Sequence, residues 1–447
     1  MTGMTIADAV KACGGKYIGT KSETTELGRV VIDSRAIEPG DLFVAYKGEK
    51  VDGHDYIGAA LDKGAACCLC EHVPEGEMRG AIVADDVQTA LEAIAAAYRD
   101  TLSLPIIGIT GSVGKTSAKE MISAVLSSRY KVLKTDKNLN NQIGVPMTLS
   151  RITPEHDVAV VEMGISGFGE MHRLGRMARP QIAVYTLIGH AHLEFLHDLD
   201  GVLRAKTEML DEIADDACVI MNGDDEKLKN YHCRQRKVSF GFGADCDVRA
   251  EHVELMAEQT ECDIVCGERR FHVMIPAFGK HLVYAALEGA AVGLEMGLSD
   301  EEIARGIASF ETVGRRAAIV HTAKLTLLDD CYNSNAEALR SGIDSLVRLP
   351  GRHVCILGDM LELGESAAEI HREGGSYARE QGVARLLCCG NYADDYCEGA
   401  GEIARKFSDR EELIAALKEE IRQGDCVLVK ASRGAHFEEI SEALKVL

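Results

Sequence analysis

Residues 104–126 read LPIIGITGSVGKTSAKEMISAVL. The apolar run at 104–109 predicts a buried strand, and residues 117–126 have the pattern of a helix. The turn between them is rich in glycine, so it aims backbone N–H groups and the positive end of the helix dipole at one point. This order of strand, loop and helix predicts a site for the phosphates of ATP, with an ordinary turn as the alternative.

The residues of this loop have different expected tasks. Lys115 would reach the terminal phosphates, and the Thr116 hydroxyl would bind Mg²⁺. The strict nucleotide-binding pattern has a glycine where this sequence has Ile109, so the loop is a variant of that pattern. A loop of this kind alone does not separate kinases, motors, GTPases and ligases. The residues expected to bind ATP here are Thr110, Gly111, Ser112, Val113, Gly114, Lys115, Thr116 and Ser117.

Beyond the loop, strands and helices alternate regularly, which predicts a parallel sheet covered on both faces. Further strands are expected at 131–135, 157–162 and 181–187. Between 247 and 275 apolar residues recur with a period of two, which predicts a β-ribbon added to the end of this sheet. We therefore expect a central ATP-binding domain at residues 104–312.

The chain of 447 residues is too long for one core, since a domain has roughly 150 residues. Residues 1–103 combine short strands with an alanine-rich helix at 87–98, which predicts a small α/β domain. Residues 313–447 alternate strands and helices again, as in a Rossmann-like domain. The predicted fold class is therefore α/β, with three domains.

Composition limits the partners of the protein. A formal net charge of -22 would repel a nucleic-acid backbone, so nucleic acid is not an expected partner. The N-terminus has no apolar core of signal-peptide length, and no stretch approaches the roughly 18 apolar residues of a membrane span. We expect a cytoplasmic monomer.

The sequence has 15 cysteines, mostly within apolar runs. In a reducing cytosol such residues usually pack as small buried side chains. Cys67 and Cys70 have the spacing of half a zinc site, but the sequence has no second pair at a suitable distance. We therefore interpret them as core residues.

Further motifs follow in order along essentially the whole chain. They are Asp33-Ser34-Arg35, Asp52-Gly53-His54, Asn140-Asn141-Gln142-Ile143-Gly144, Glu162-Met163-Gly164, Asn222-Gly223-Asp224-Asp225, Asp330-Cys331-Tyr332-Asn333-Ser334-Asn335, Leu357-Gly358-Asp359-Met360 and Lys430-Ala431-Ser432-Arg433. Together with the phosphate loop they resemble the Mur ligase family, and in particular its members that add D-alanyl-D-alanine.

The resemblance implies an ATP-dependent amide ligase of peptidoglycan synthesis that uses Mg²⁺. Its substrates would be UDP-N-acetylmuramoyl-tripeptide and D-alanyl-D-alanine. ATP would phosphorylate the terminal carboxylate of the tripeptide, and the amine of the dipeptide would attack the resulting acyl phosphate. Two anions meet in the first step, so positive charge from Lys115 and Mg²⁺ is needed there.

Three residues are candidates for catalysis besides Lys115. Glu162 ends a predicted strand at its carboxyl end, where ligands of parallel sheets bind, and its carboxylate suits Mg²⁺; a solvated acid is the alternative. The resemblance implies that His192 binds a second Mg²⁺ and that Lys206, as a carbamate, helps to hold it. A structural histidine and a solvated lysine are the alternatives.

The resemblance also implies that the N-terminal domain at residues 1–103 binds the UDP precursor, and it implies binding residues in both outer domains. Arg315 would contact the ATP phosphates, and Asp330 would bind the ribose. Lys430, Ser432 and Arg433 would hold the closed state or the dipeptide carboxylate, with a surface salt-bridge cluster as the alternative. The other expected substrate contacts are Ser34 and Arg35 for the UDP portion, Asn141 near the muramoyl part, and Asn333 and Asn335.

The sequence departs from the family pattern at three places. Leu282 and Ala285 stand where the family usually has the two asparagines near adenine, Ala336 replaces a proline, and His197 ends a stretch that usually has a Phe-Gly pair. Two alternatives therefore stay open. Beside the expected D-alanyl-D-alanine ligase, the chain could be a divergent ligase with another amino acid or carboxylate as substrate, or a nucleotide-binding paralogue without turnover.

Overall fold

The computed structural model describes residues 1–256, 259–312, 314 and 318–447. These residues form three sheets, of five, nine and six strands, with helices packed against them. The predicted three-domain α/β fold is thereby confirmed, while the boundaries at residues 103 and 312 stay predictions. Within the described residues, no helix combines the length and the apolar character needed to span a bilayer.

The N-terminal sheet is small and mostly parallel. Its region contains α1 (Ile6–Cys13), β1 (Lys16–Gly19), β2 (Val30–Val31), β3 (Leu42–Val44), α2 (Ile57–Asp62), β4 (Cys67–Cys70), β5 (Gly80–Val83) and α3 (Val87–Asp100). The strand order is β1-β5-β4-β3-β2, and only β1 runs antiparallel to its neighbour. Cys67 and Cys70 are 0% exposed, which confirms that they are core residues.

The central region carries the phosphate loop. Its elements are β6 (Ile106–Thr110), α4 (Lys115–Leu126), β7 (Val132–Lys134), α5 (Gly144–Leu149), β8 (Val158–Glu162), α6 (Glu170–Ala178), β9 (Ile182–Tyr185), α7 (Leu193–Leu196), α8 (Leu199–Thr207), β10 (Cys218–Asn222), α9 (Glu226–Lys229), β11 (Arg236–Gly241), β12 (Val248–Leu255), β13 (Thr260–Cys266), β14 (Arg269–Ile275), α10 (Lys280–Glu295) and α11 (Asp300–Ala308). The strand order is β14-β13-β12-β11-β10-β9-β6-β8-β7. Strands β6 to β12 pair in parallel, whereas β12, β13 and β14 form the predicted antiparallel ribbon.

The C-terminal region is a third α/β unit. It contains β15 (Ala318–His321), β16 (Leu325–Asp329), α12 (Ala336–Leu346), β17 (Arg352–Leu357), α13 (Ala367–Glu380), β18 (Arg385–Cys389), α14 (Ala393–Ala400), β19 (Ala404–Phe407), α15 (Arg410–Glu420), β20 (Asp425–Lys430) and α16 (Glu438–Lys445). The strand order is β15-β16-β20-β17-β18-β19, and only β15 is antiparallel. Short 3₁₀ turns complete the chain at Ser34–Ala36, Gly53–Tyr56, Glu208–Asp211, Gly364–Ser366, Gly401–Ile403 and Arg433–Ala435.

Helix α3 fixes the N-terminal domain to the central domain. The Tyr98 hydroxyl donates a hydrogen bond to the Ile152 carbonyl at 2.5 Å. The next residue, Arg99, donates from Nε to the Ala178 carbonyl at 2.9 Å and is 6% exposed. Both donors are buried at the junction, so separating the domains would leave them without these partners. The contact therefore keeps the N-terminal domain beside the central sheet.

Candidate active site

The phosphate loop has the strand, turn and helix that its sequence predicts. Gly111 and Gly114 both have positive φ, 150° and 87°, which residues with a Cβ rarely adopt. A Cβ at Gly111 would also lie 1.9 Å from the Thr186 hydroxyl oxygen. Lys115 bends over the loop, with its Nζ donating to the Gly111 carbonyl at 2.6 Å. The loop therefore holds its backbone N–H groups at the start of α4, beside the one lysine expected to bind phosphate.

Glu162 lies directly beside the phosphate loop. It ends β8, is 2% exposed, and accepts a hydrogen bond from the Thr116 hydroxyl at 3.1 Å. Its other carboxylate oxygen accepts from the Asn140 side-chain amide at 2.8 Å. The Lys119 ammonium is 3.7 Å from the carboxylate and itself 1% exposed. This position excludes the alternative of a solvated acid at a strand end.

The pair Thr116 and Glu162 fits a magnesium ion. A hydroxyl and a carboxylate oxygen are hard donors, and Mg²⁺ is usually held by one or two such protein groups together with phosphates and water. No group of three or more His, Cys, Asp or Glu side chains in the described part of the chain is arranged to hold a metal. A site at this pair would therefore depend on oxygen ligands from the nucleotide.

Lys206 is buried near Lys115. It lies on α8, and only 1% of it is exposed, which excludes the alternative of a solvated charge. Burial lowers the pKa of Lys206 well below its usual value, and the Lys115 ammonium lowers it further. Burial therefore favours the neutral amine over the ammonium. A neutral amine is the form that reacts with CO₂ to give a carbamate.

His192 contacts the C-terminal domain. Its Nδ1 pairs with the Glu362 carboxylate. Nearby, the Glu194 N–H donates a hydrogen bond to the Glu362 carbonyl at 3.2 Å. The imidazole lowers the pKa of Glu362 through this contact. His192 thus lies where the central and C-terminal domains meet, and its role as a metal ligand stays a prediction.

Asp330 and Lys430 form a buried ion pair at the ends of neighbouring strands. Lys430 is 2% exposed and its Nζ lies 2.6 Å from the Asp330 carboxylate. His281, at the start of α10, faces this pair from the central domain. Burial lowers the pKa of His281, Asp330 opposes that shift, and Lys430 adds to it. Its Nδ1 is shielded from solvent and has no hydrogen-bond partner among the described residues.

The other predicted residues of the C-terminal domain differ in their exposure to solvent. The Ser432 hydroxyl accepts from the Leu361 N–H at 3.0 Å, so it holds that loop. Arg433 is more exposed and stacks on the Tyr332 ring. Because Lys430 and Ser432 are buried, the alternative of a surface salt-bridge cluster is wrong for these two residues. Arg315 lies outside the described residues.

The predicted asparagines differ in their surroundings. Asn333 is exposed, and its carbonyl accepts a hydrogen bond from Lys430 at 3.1 Å. The Asn335 side chain accepts from the Ala338 N–H at 2.9 Å and so caps α12. Asn141 likewise accepts from the Gly144 N–H at 2.9 Å. Asn335 and Asn141 therefore position helices through their side chains.

The predicted UDP contacts lie on an exposed turn of the N-terminal domain. Ser34 and Arg35 begin the 3₁₀ turn after β2, and the Arg35 side chain is 87% exposed. Arg35 pairs with Asp33 at 2.8 Å, and its hydrogen bonds lower the pKa of that carboxyl to about 2. The guanidinium is thus accessible to an anionic ligand.

Leu282 and Ala285 pack into the core of the central domain. Each is 3% exposed, and both belong to the apolar cluster that α10 forms with α4. An asparagine at either position would bring an amide into that cluster. The departure from the family pattern is therefore accommodated by apolar packing.

Sequence reasoning missed several residues of this site. Asn140 and Lys119 both contact Glu162, and His281 lies between the two domains. Asn140 precedes the predicted Asn141, and Lys119 follows the loop by one helical turn. Their positions beside predicted residues, and the place of Asn140 in one of the motifs that carry the family resemblance, are signals that the sequence offers.

Comparison with known proteins identifies relatives along almost the whole chain. The Mur ligase family, catalytic domain, matches residues 26–105, the Mur ligase middle domain matches 109–293, and the Mur ligase, glutamate ligase domain, matches 315–433. The chain is 35% identical to UDP-N-acetylmuramoyl-tripeptide--D-alanyl-D-alanine ligase of Bacillus subtilis (strain 168), covering 98% of this chain and 97% of that protein.

Solved structures agree with this similarity. Crystal structure I of MurF from Acinetobacter baumannii superposes with a TM-score of 0.90, at 29% identity and 99% coverage of both chains. MurF ligase from Thermotoga maritima in complex with ADP superposes with a TM-score of 0.85, at 27% identity, covering 94% of this chain and 97% of that one. The fold and the domain order are therefore shared with both.

Proposed function

The chain belongs to the Mur ligase family, and from that premise we propose that it joins D-alanyl-D-alanine to UDP-N-acetylmuramoyl-tripeptide. The observation that carries the proposal is the phosphate loop together with Glu162, whose carboxylate accepts a hydrogen bond from the Thr116 hydroxyl of that loop. Similarity over 98% of this chain to a ligase of that name supports the substrates. The activity is an ATP-dependent amide ligation of peptidoglycan precursor synthesis.

The reaction has two bond-forming steps. An oxygen of the tripeptide carboxylate attacks the γ-phosphorus of ATP, and ADP leaves with the electron pair of the broken P–O bond. The dipeptide amine then attacks the carbonyl carbon of the acyl phosphate, loses a proton, and releases inorganic phosphate as the amide forms. Both steps need compensation of negative charge and exclusion of water.

Residues of the phosphate loop compensate the charge. Thr110 to Ser117 bind the triphosphate through backbone N–H groups, and Lys115 contacts the transferred phosphoryl group. Thr116 and Glu162 would hold Mg²⁺, with Asn140 and Lys119 fixing the Glu162 carboxylate. When bound, Mg²⁺ neutralises phosphate oxygens so that a second anion can approach.

Lys206 and His192 act on the side of the acyl group. The nitrogen of the buried Lys206 amine would bond to the carbon of CO₂ and release one proton, giving an anionic carbamate near the positive charge of Lys115. His192 and the carbamate are the proposed ligands of a second Mg²⁺. The burial of Lys206, which lowers its pKa and so favours the neutral amine, supports this proposal.

The outer domains bind the two ends of the substrates. Asp330 contacts the ribose and Arg315 the phosphates of ATP, with Lys430 holding the Asp330 carboxylate at 2.6 Å. Ser34 and Arg35 bind the UDP portion, and Asn141 lies near the muramoyl part. The further proposed substrate contacts in the C-terminal domain are Asn333, Asn335, Lys430, Ser432 and Arg433.

The test is phosphate release by the full chain with ATP, Mg²⁺ and the UDP-linked tripeptide. We expect release only when D-alanyl-D-alanine is also present, and the product should gain the mass of the dipeptide less one water. Turnover only with a single amino acid would assign a different acceptor. ATP binding without acceptor-dependent release would contradict the ligase and favour a regulatory nucleotide-binding protein.

A variant of the loop separates chemistry from folding. Lys115→Ala should lose phosphate release while it keeps the circular dichroism spectrum and unfolding temperature of the parent protein, because the Lys115 side chain reaches over the loop and not into the core. Full activity of Lys115→Ala would contradict the assignment of the loop.

A further inference from the structure

The chain from Thr186 to His190 joins the phosphate loop to the C-terminal domain. On one side, the Ser112 N–H donates to the Leu187 carbonyl at 2.7 Å, and the Gly189 N–H donates to the Ser112 hydroxyl at 2.9 Å. The Ser112 hydroxyl in turn donates to the Gly189 carbonyl at 3.0 Å. This segment therefore braces the phosphate loop through Ser112.

On the other side, the same segment is held by one carboxylate of the C-terminal domain. The His190 N–H donates to both oxygens of Glu337, at 3.1 and 3.0 Å. The His190 imidazole also contacts Glu337, with 2.5 Å between Nδ1 and Oε1. Glu337 lies in the first turn of α12, where the helix dipole favours a negative charge.

Gly189 leaves room for that carboxylate, which a larger residue would displace. A Cβ at Gly189 would lie 2.6 Å from the Glu337 carboxyl group, closer than real side chains approach. Neighbouring backbone is also strained, since His192 and Glu362, which pair across the same junction, have φ of 57° and 62°. Strained residues of this kind persist where the surrounding structure holds them, often at functional sites.

We propose that Glu337 is a positioning residue that couples docking of the C-terminal domain to the conformation of the phosphate loop. Its carboxylate fixes the His190 backbone and imidazole, and so keeps Gly189 against Ser112. Glu337 is linked to the phosphate loop through His190, Gly189 and Ser112. When the C-terminal domain moves away, the brace on Ser112 loses its anchor. The predicted changes in kcat rest on the proposed ligase function, whereas the predicted changes in hydrogen exchange do not.

The first test needs no substrate and uses hydrogen–deuterium exchange of the full chain. In Glu337→Gln, which keeps the side-chain shape and removes the charge, amides of residues 186–190 and 110–117 should exchange faster than in the parent protein. Gly189→Ala should give the same pattern, since its Cβ displaces the carboxylate. Asp344→Asn is the matched control on α12, because Asp344 is an exposed acid of the same helix that accepts a hydrogen bond from the Tyr377 hydroxyl at 2.5 Å.

The second test separates rate from nucleotide affinity. Glu337→Gln should lower kcat for phosphate release about tenfold, the size expected for one charge-assisted hydrogen bond, with less than about a twofold change in KM for ATP. His190→Ala should lower kcat by a similar factor, and the double variant should have a kcat no lower than that of either single variant. His190→Asn keeps a hydrogen-bond donor near the position of Nδ1 and should therefore recover most of kcat.

Two results would overturn the proposal. One is faster exchange in Glu337→Gln that stays within α12 and does not reach residues 110–117. The other is an additive loss of kcat in the double variant, which would show that the two residues act separately. If the parent protein releases no phosphate, the ligase function fails, and the exchange experiment still decides whether Glu337 braces the loop.

Discussion

The Thr116 hydroxyl donates a hydrogen bond of 3.1 Å to the Glu162 carboxylate, which joins the first turn of α4 to the carboxyl end of β8. The two residues are 46 positions apart in the chain, and both are nearly inaccessible to solvent. Because β6 and β8 are parallel neighbours, the ends of both strands point to the same edge of the sheet. The phosphate loop and an acidic oxygen ligand therefore meet at this edge.

Removing the negative charge of Glu162 tests the proposed magnesium site. Glu162→Gln should raise the Mg²⁺ concentration needed for half-maximal phosphate release by more than about 100-fold, because loss of a ligand costs at least as much as loss of its supporting group. Binding of Mn²⁺ with ATP, followed by electron paramagnetic resonance, should weaken in parallel. Asp136→Asn removes an exposed carboxylate that pairs with Arg151 and should change neither quantity. Undiminished Mn²⁺ binding in Glu162→Gln would exclude Glu162 as a ligand.

Lys119 supplies a buried counter-charge to the same site. Its ammonium lies 3.1 Å from Glu120 and 3.7 Å from Glu162, and the three side chains are almost fully buried. Lys119→Met should lower the free energy of unfolding by about 3 kcal/mol, because two carboxylates lose a buried partner. Millimolar Mg²⁺ should restore part of this loss, since a bound cation stabilises the folded state.

Urea denaturation with and without Mg²⁺ measures both effects. Lys131→Met is the control, because Lys131 pairs with Glu155 on the surface, where an ion pair contributes less than about 1 kcal/mol. Equal stability of Lys119→Met and Lys131→Met would show that the carboxylates near Glu162 do not need this ammonium.

Acid should destabilise the C-terminal domain through His371. This residue is 0% exposed, its Nδ1–H donates to the Ala367 carbonyl at 2.6 Å, and its Nε2 accepts from the Met360 N–H at 2.9 Å. Burial lowers the pKa of His371 below its usual 6.5, so the folded state favours the neutral ring. The stability contributed by the neutral ring is complete above pH 6.5 and is lost as the pH falls from there through the lowered pKa.

Urea denaturation between pH 7 and pH 5 should therefore show a falling free energy of unfolding. His371→Gln should be less stable at pH 7 by about 1 to 3 kcal/mol, since the Ala367 carbonyl and the Met360 N–H lose well-aligned hydrogen bonds. The free energy of unfolding of this variant should also depend less on pH. His321→Gln, at an exposed site, should keep the pH dependence of the parent protein. An unchanged slope in His371→Gln would exclude His371 as the titrating group.

The parts of this site that could be predicted are those whose residues lie close together in the sequence or at the ends of predicted parallel strands. The phosphate loop is contiguous, and its two glycines and lysine carry the signal by themselves. Glu162 could be assigned because the carboxyl ends of parallel strands meet at one edge. The short elements α1, β1 and α2 were not predicted, since four to eight residues give little periodicity.

Contacts between distant residues could not be read from the sequence. Glu337 and His190 are 147 residues apart, and each is an ordinary polar residue in its own segment. The burial of Lys206 was hidden as well, since its helix has charged residues on several sides. Asn141, which is expected near substrate, also accepts a hydrogen bond from the Gly144 N–H at the start of α5, and the motif gives no sign of this contact. Side-chain direction in a turn depends on three-dimensional packing, which a motif does not encode.

Lys206 offers a test in which stability and activity change in opposite directions. A buried amine without an acidic partner costs free energy, so replacing it with the apolar side chain of methionine should leave the unfolding temperature unchanged or raise it. Phosphate release should nevertheless fall to background, because methionine cannot form a carbamate. Arg204→Met, on the same helix, removes a cation stacked on Phe168 at 4.4 Å and should keep most of the activity. Carbon-13 NMR with labelled bicarbonate detects the carbamate directly. A protein-bound carbamate signal is expected in the parent protein and in Arg204→Met. Its presence in Lys206→Met would show that the carbamate forms on another lysine.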